Sequence, residues 1–402
     1  MQQFVRQLKT LFKKDIMLSV SLVAAAVSLF ITPPSRALFS DINWRTLATL
    51  FMLLSVLEGF KSENIFEPIL RKTKNISSMR ALTFFFVFCV FFSSMFVTND
   101  VSLIIFVPLT IILFRASRAE KYILPVLTFE NIAAIRGSLL MPFGSPQNLF
   151  LYAKSGISTP DFILMMLPLW VFSAGLLSVF ILILFRSEGK HEVTRMSTNP
   201  AFSDSKESHT EAAEYKTRAA DTDAVHRHRK IMYQILFVIV VASIVTRTRF
   251  YPIVLAVVFI TLLIGDRKIL IKTDYVLLLT FLCFFTFSSS ICRHPAISQF
   301  LAKSVAGHEY LWSILLSQVI SNVPASIVLY PFSTDLRALL YGLDSAGLCS
   351  IIGSLASVIN LRLYIREYPG KSLAFIKTFT WISLAFFAVV VLPQLWLIII
   401  CS

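Results

Sequence analysis

Long apolar runs separated by short polar segments fill this chain, and the lengths of the runs are informative. Because a helix rises ~1.5 Å per residue, about 20 apolar residues are needed to cross the ~30 Å hydrocarbon core of a bilayer. The apolar runs cover residues 16–32, 44–60, 81–97, 101–114, 122–152, 162–185, 231–246, 251–265, 275–291, 311–320, 323–332, 336–365 and 373–400. The pattern predicts an all-α, polytopic membrane protein.

Two of these runs are too short to cross a membrane alone. Residues 311–320 and 323–332 meet at Ser321-Asn322, which predicts a re-entrant hairpin with a polar tip at 321–322. Such a tip is tolerated only where it is buried in protein or faces a water-filled cavity. The runs 81–97 and 101–114 meet at a second polar tip, residues 98–100. There we expect a second re-entrant hairpin, although arm length alone does not separate it from two full spans.

Two other runs, 122–152 and 336–365, extend over about 30 residues and are interrupted near the middle. Glycine and proline weaken helix interiors, so both runs predict broken transmembrane helices. The interrupting residues are Gly137, Pro142, Gly144 and Pro146 in the first run and Gly342, Gly347 and Gly353 in the second.

The order span, hairpin, broken helix, span occurs twice. It occupies residues 41–186 and recurs in 231–402, which also holds extra spans; residues 1–40 precede it as an N-terminal transmembrane helix. The polar segment 187–230 predicts a flexible cytoplasmic linker between the halves. Opposite orientations of the two halves predict an inverted repeat, and inverted repeats with paired broken helices are typical of secondary transporters.

The register of this repeat has two alternatives. One pairs Gly144-Ser145 with Gly353-Ser354, and the other pairs Asn148 with Asn360. We favour the first, because a helix break requires the glycine.

Composition and charge agree with a membrane location. The chain of 402 residues is 56% hydrophobic and only 15% charged, which excludes a water-soluble protein. With the N-terminus and residues 187–230 on the cytoplasmic side of an inner (cytoplasmic) membrane, 28 of the 37 Lys and Arg residues lie on that side, as the positive-inside rule requires. The net charge of +14 therefore reflects topology, and no nucleic-acid partner is indicated. The apolar run after the basic N-terminus lacks a small-residue cleavage site, so we expect a retained helix.

Hairpin tips and helix breaks are the candidate binding positions. They expose backbone groups without an intrahelical partner, and the N-termini of half-helices favour anions. Short neutral side chains there suit a small oxyanion, a neutral hydroxide or a carboxylate, although each could also satisfy only the local backbone. The candidate substrate- and ion-binding residues are Thr98, Asn99, Asp100, Gly144, Ser145, Pro146, Gln147, Asn148, Ser321, Asn322, Pro324, Gly353, Ser354 and Ser357.

Charged residues within apolar segments are candidates for coupling. Asp100 could hold Na⁺, take up a proton or cap the following helix. Glu130, Arg136 and Asp344 are the other candidates for proton or charge coupling, and a structural salt bridge from Arg136 to Asp344 or Glu130 is the alternative to an anion site. The candidate Na⁺ ligands are Asn99, Asn148 and Asn322. No cofactor is expected beyond Na⁺ or H⁺ as a coupling ion, because neither Cys nor His shows a convincing metal-ligand spacing.

Four motifs together resemble the ion-transporter superfamily. They are T-N-D-V-x-L-I-x-F-V-P (98–108), G-S-P-Q-N (144–148), S-N-V-P (321–324) and G-S-L-A (353–356). The resemblance is strongest to the arsenite permease and sodium/proton antiporter branch, with citrate and dicarboxylate transporters more distant, and it covers about residues 40–185 and 250–400. It implies a homodimer with a scaffold domain and a mobile, elevator-type transport domain. Ser145 and Ser357 stand where the family usually has Asn, which weakens any transfer of sodium ligands.

These features predict a secondary active transporter for a small anion or a metalloid oxyanion or hydroxide, arsenite-like or a carboxylate, coupled to H⁺ or Na⁺. A sodium/proton antiporter without an organic substrate is the alternative. A membrane-embedded enzyme is a minor alternative, because the chain has no HExxH or GxSxG motif. A passive channel would require a filter sequence, and none is recognisable. We therefore expect no enzymatic activity.

Overall fold

A computed structural model describes residues 16–32, 42–63, 76, 78–186, 211–246 and 250–401. Within these residues the chain forms sixteen α-helices. They are α1 (Ile16–Ile31), α2 (Trp44–Ser62), α3 (Met79–Val97), α4 (Asn99–Ala116), α5 (Ile123–Gly137), α6 (Pro146–Ser155), α7 (Thr159–Leu184), α8 (Glu211–Val245), α9 (Tyr251–Lys272), α10 (Tyr275–Arg293), α11 (Pro295–Val305), α12 (Glu309–Ile320), α13 (Asn322–Leu329), α14 (Leu336–Cys349), α15 (Leu355–Glu367) and α16 (Ser372–Cys401).

Six helical segments in the described part of the chain are long and apolar enough to cross a membrane. They are α3, α4, α7, residues 227–245 of α8, α10 and α16. The predicted class, an all-helical protein with several membrane spans, is confirmed. The arms of the second hairpin, α12 and α13, have only 12 and 8 residues. The arms of the first, α3 and α4, have 19 and 18 residues, so their length alone is compatible with crossing.

The last part of the predicted linker, residues 211–230, is helical and continues into the apolar part of α8. Alanine is the strongest helix former, and this stretch contains five alanines with few residues that oppose a helix. Its polarity signalled exposure to water, and we interpreted that polarity as an absence of structure. The remaining linker residues, 187–210, lie outside the described residues, as do residues 1–15 and 33–41 of the N-terminal segment.

The helices pack as two groups. The frame consists of α1, α2, α8, α9 and α10, in which α1 packs along α10 while α8 and α9 pack against α2. The hairpin bundle consists of α3–α7 and α12–α16. The main contacts between the groups join α10 to α13 and α2 to α4 and α6. The frame therefore meets one arm of each hairpin and the half-helix α6.

An ion cluster holds α8 in the frame. The guanidinium of Arg229 lies 3.2 Å from a carboxylate oxygen of Asp266 and 3.9 Å from one of Glu63 at the end of α2. Asp266 interrupts α9 with a non-helical backbone (φ −158°, ψ 74°), and its carboxylate also accepts a hydrogen bond from the Tyr233 hydroxyl at 3.1 Å. The cluster thus fixes the kink in α9, beyond which the chain passes directly to the cavity described below.

Candidate functional site

Both hairpins turn at a single residue with the same unusual backbone conformation. Thr98 has φ 70° and ψ 157°, and Ser321 has φ 68° and ψ 161°. This region is occupied almost only by glycine and costs of order 1–3 kcal/mol for other residues. In each hairpin the turn residue is buried and is followed directly by an asparagine that starts the second arm. The two tips therefore have matching geometry as well as matching sequence.

The two helix breaks also match. Between α5 and α6, the N–H of Gly144 donates to the carbonyl of Met141 at 3.0 Å; between α14 and α15, the N–H of Gly353 donates to the carbonyl of Ser350 at 3.2 Å. A Cβ atom on Gly144 would overlap the carbonyl oxygen of Ser138, and one on Gly353 would overlap that of Ala346. Each glycine thus lies against the end of the helix that precedes the break. The two glycines therefore have the same local environment.

Packing crosses between the two halves of the sequence. The second arm of the first hairpin, α4, packs against α15, and the second arm of the other hairpin, α13, packs against α6. Each hairpin therefore contacts the half-helix that follows the break in the opposite half of the chain. This exchange brings the two hairpins and the two broken helices into one bundle.

A cavity of about 520 Å³ lies between this bundle and the frame. Four predicted site residues line it: Thr98, Asp100, Ser145 and Pro146. The other lining residues are Leu50, Leu53, Leu54, Leu57, Glu58, Lys61, Val101, Ile104, Phe143, Leu149, Lys272, Thr273, Asp274, Tyr275, Val276, Leu277, Leu355 and Ile359. The cavity is thus mostly apolar and meets one hairpin tip and the first turns of both α6 and α15.

Charges in the cavity come from both helix groups. Asp100 lies on the hairpin, and its Oδ1 atom is buried without a hydrogen-bond partner. Asp274 lies on the frame, where its Oδ1 accepts the Leu277 N–H at 2.9 Å and caps α10. The two carboxylates line the same cavity and interact electrostatically. Lys61 and Glu58, 3.4 Å apart, also line the cavity, and both side chains are partly exposed.

Asp274 is not among the candidate site residues named from the sequence. It lines the cavity at the start of α10, directly after the end of the kinked helix α9. The signal that could have identified Asp274 is the polar triad Lys272-Thr273-Asp274, which directly precedes an apolar helix.

Other predicted residues lie behind the cavity wall. The Gln147 side-chain amide donates to Oδ1 of Asp344 at 3.0 Å and so joins α6 to α14. The Asn131 amide donates to the Ser357 hydroxyl at 3.0 Å and joins α5 to α15. Asn148 is fully buried, and its side-chain amide interacts with the Asp344 carboxylate. These side chains connect the two halves.

Arg136 is fully buried in the same interior region. Its Nη2 donates to the Ser345 hydroxyl at 3.0 Å, while Nε and Nη1 have no partner. Among the described residues no carboxylate oxygen lies within 4.0 Å of the guanidinium, so the predicted direct salt bridge to Asp344 or Glu130 is not formed. Glu130 instead accepts a hydrogen bond from the Thr110 hydroxyl, because it faces α4 and not Asp344.

The second hairpin tip lies away from the cavity lining. Ser321 and Asn322 are buried, and the Asn322 amide donates to the Leu343 carbonyl at 3.4 Å. In the first tip, the Asn99 side chain accepts the Asp100 N–H at 3.0 Å. The remaining predicted residues, Pro324, Gly353 and Ser354, are placed in the packed interior beside α14 and α15. The predicted set therefore divides into residues at the cavity and residues behind it.

Comparison with known proteins agrees with this architecture. Residues 10–353 match the family model described as citrate transporter, CitMHS. The uncharacterized transporter MJ0456 of Methanocaldococcus jannaschii is 28% identical over 329 residues, which are 81% of this chain and 82% of that protein. The inner membrane protein YbiR of Escherichia coli K12 is 29% identical over 350 residues, 85% of this chain and 86% of that protein.

The family match refines the resemblance found in the sequence. It falls on the citrate branch, which the motifs had placed as more distant, while the arsenite permease and sodium/proton antiporter branch stays a prediction. A multi-pass membrane transporter is the function that the match supports at this level. The chain belongs to the citrate transporter family.

Proposed function

We propose that this protein is a secondary active transporter that moves a small anion through the cavity between the frame and the hairpin bundle. The observation that carries this proposal is the convergence of one hairpin tip and the first turns of two half-helices on one cavity. Pro146 begins α6 and Leu355 begins α15, and both line the cavity. The first N–H groups of a helix lack intrahelical partners and favour an anionic group.

The acids in the cavity argue for transport of a cation together with the anion. Asp100 and Asp274 would repel a bare anion, and the apolar lining offers little solvent to screen that repulsion. A proton or Na⁺ on Asp100 removes one of the two charges. Coupling then follows from charge balance, because the anion binds best when the cation is present.

The two packed groups support an elevator-type movement. The frame carries one wall of the cavity and the hairpin bundle carries the other, and few helix pairs join them. Sliding of the bundle along the frame would carry Thr98, Asp100 and Ser145 together across the membrane. The open end beside Glu58 and Lys61 is the side that charge placement predicts to be cytoplasmic. A homodimer joined through the frame belongs to the same proposal.

The proposed substrates are small carboxylates and small oxyanions or hydroxides. The family description supports a carboxylate of the citrate type, and the short neutral side chains at the tip also suit an oxyanion or a hydroxide such as arsenite.

The test is flux into proteoliposomes under an imposed H⁺ or Na⁺ gradient. The panel contains citrate, smaller di- and monocarboxylates, phosphate and arsenite. We expect gradient-driven uptake of at least one anion by the native protein. Asp100→Asn should abolish the dependence on the gradient, and Glu120→Gln, an exposed acid at the start of a surface turn, should leave it intact. No gradient-driven flux of any of these solutes would refute the proposal.

A sodium/proton antiporter is the second candidate, favoured by the facing carboxylates of Asp100 and Asp274. In this case an outward Na⁺ gradient drives H⁺ movement in vesicles that contain no organic anion, and Asp100→Asn abolishes it. Exchange that requires an added carboxylate would exclude this alternative.

A further inference from the structure

A second large concavity lies between helices of the frame, and Tyr275 is the one described residue that its lining shares with the cavity at the hairpin tip. It encloses about 1010 Å³ between α2, α9 and α10. We name it the frame groove; its lining residues are Trp44, Leu47, Ala48, Phe51, Tyr251, Pro252, Leu255, Ala256, Phe259, Tyr275, Leu278, Leu279 and Leu282. The lining is apolar apart from the tips of its aromatic side chains. Phe259 and Leu279 are exposed, so hydrocarbon from outside the chain must cover this surface in a bilayer.

A cation and two amphipathic aromatic residues mark one end of the groove. Trp44 and Tyr251 are the first residues of α2 and α9, and Arg45 places its guanidinium over the Tyr251 ring, 5.9 Å from the centroid. Trp and Tyr at helix ends are typical of the interface between hydrocarbon and headgroups. An arginine that stacks on a ring by its face keeps its N–H edges available for a phosphate. The groove thus has a polar end and an apolar trough.

We propose that the frame groove binds a phospholipid, with an acyl chain between α2 and α9 and the phosphate on Arg45. The small side chains of Ala48 and Ala256 leave the space in which the chain lies. The trough runs from Trp44 to Phe51 along α2, about 10 Å of helix, which matches the upper part of an acyl chain in one leaflet.

The positive charge of Arg45 favours a lipid over a second copy of this chain as the occupant of the frame groove. A twofold dimer places the same patch against itself, so Arg45 would face a groove in which no acidic residue is found among the described lining residues. A phosphate supplies the charge that Arg45 needs, whereas a second copy of this face does not. This inference is independent of which solute the protein transports.

The experiment is native mass spectrometry of the detergent-purified full chain with dioleoylphosphatidylglycerol, and with dioleoylglycerol as a probe that lacks the phosphate. We expect the native protein to retain the phospholipid. Ala256→Trp should abolish retention by filling the trough, and Val257→Trp, an exposed neighbour outside the groove, should not change it. Arg45→Gln should weaken phospholipid binding about tenfold and leave dioleoylglycerol unchanged, since a charge-assisted hydrogen bond is lost. Lys154→Gln is its control on the same predicted side.

Ala48→Trp provides a second trough-filling variant if Ala256→Trp fails to fold. Phospholipid retention that survives a folded trough-filling variant would overturn the proposal. A native dimer that dissociates in such a variant while phospholipid binding is unchanged would assign the groove to a second copy instead.

Discussion

Thr98 and Ser321 hold a backbone conformation that their side chains oppose. Such a residue persists only where the surrounding packing outweighs the strain, and strained positions concentrate at functional sites. Here the conformation lets two antiparallel helices join through one residue, so that the tip stays compact and buried. The Ser321 hydroxyl has no hydrogen-bond partner, so a substitution at this position can measure the backbone strain.

We expect Ser321→Gly to raise the thermal stability of the purified protein. Glycine relieves about 1–3 kcal/mol of strain and costs roughly 0.5–1 kcal/mol in chain entropy. Ser317→Gly, in the regular part of α12 four residues earlier, should lower stability by about 1 kcal/mol. The measurement is the apparent Tm by intrinsic fluorescence in detergent. Equal losses in both variants would show that the Ser321 conformation is unstrained.

At the scale of elements, the helix breaks depend on close contact between each glycine and the preceding helix. Gly144→Ala and Gly353→Ala should each lower the Tm, because the added methyl group overlaps a backbone carbonyl that cannot move independently. Gly175→Ala is the matched control: it lies within α7 with open space around it, and alanine should stabilise that helix by about 1 kcal/mol. An unchanged Tm in both Gly144→Ala and Gly353→Ala would contradict the close contact between each glycine and the backbone carbonyl beside it.

Sequence patterns predicted the elements well where a physical constraint acts along the chain. Run length predicted the short arms α12 and α13. Residues Pro142 to Pro146 and Gly353 marked where the two long helices are interrupted, whereas Gly342 and Gly347, predicted to interrupt the second one, lie inside α14. The apolar pattern missed α11, because this mostly exposed surface helix does not itself contain a long apolar run. It also missed the helix at 211–230, where polarity gave no information on backbone structure.

The candidate site was harder to predict because it depends on three-dimensional packing. Motifs at tips and breaks found Thr98, Asp100 and Ser145, which line the cavity, together with Asn322 and Ser357, which do not. Sequence order cannot show that hairpins pack against half-helices of the opposite half. For the same reason it could not bring Asp274 of the frame to the cavity.

At the scale of the whole molecule, few hydrogen bonds between side chains join the two halves, and the bond from Gln147 to Asp344 is one of them. A double-mutant cycle with Gln147→Ala and Asp344→Ala should give a coupling energy of about 1–3 kcal/mol, the range for hydrogen bonds to charged groups. Chemical unfolding in detergent measures it. If the effects of the two substitutions on the free energy of unfolding are additive, Gln147 and Asp344 contribute to stability through other contacts.

Accessibility tests the direction in which the cavity opens. In a background without native cysteines, Ile104→Cys should react with a membrane-impermeant thiol reagent added from the side of Glu58 and Lys61, and should not react from the other side. Ile105→Cys, the next residue, packs against the core and should be protected from both sides. A transported anion should slow the reaction at position 104. Equal reactivity from both sides would indicate a pore instead of alternating access.

Tyr275 lines both the transport cavity and the frame groove. Its hydroxyl donates to the Leu270 carbonyl at 2.6 Å, and its ring lies 6.3 Å from that of Phe51. Tyr275 is therefore shared by the proposed solute site and the proposed lipid site. If both proposals hold, a lipid in the groove and a solute in the cavity contact the same side chain, so the lipid composition of the bilayer should change the transport rate.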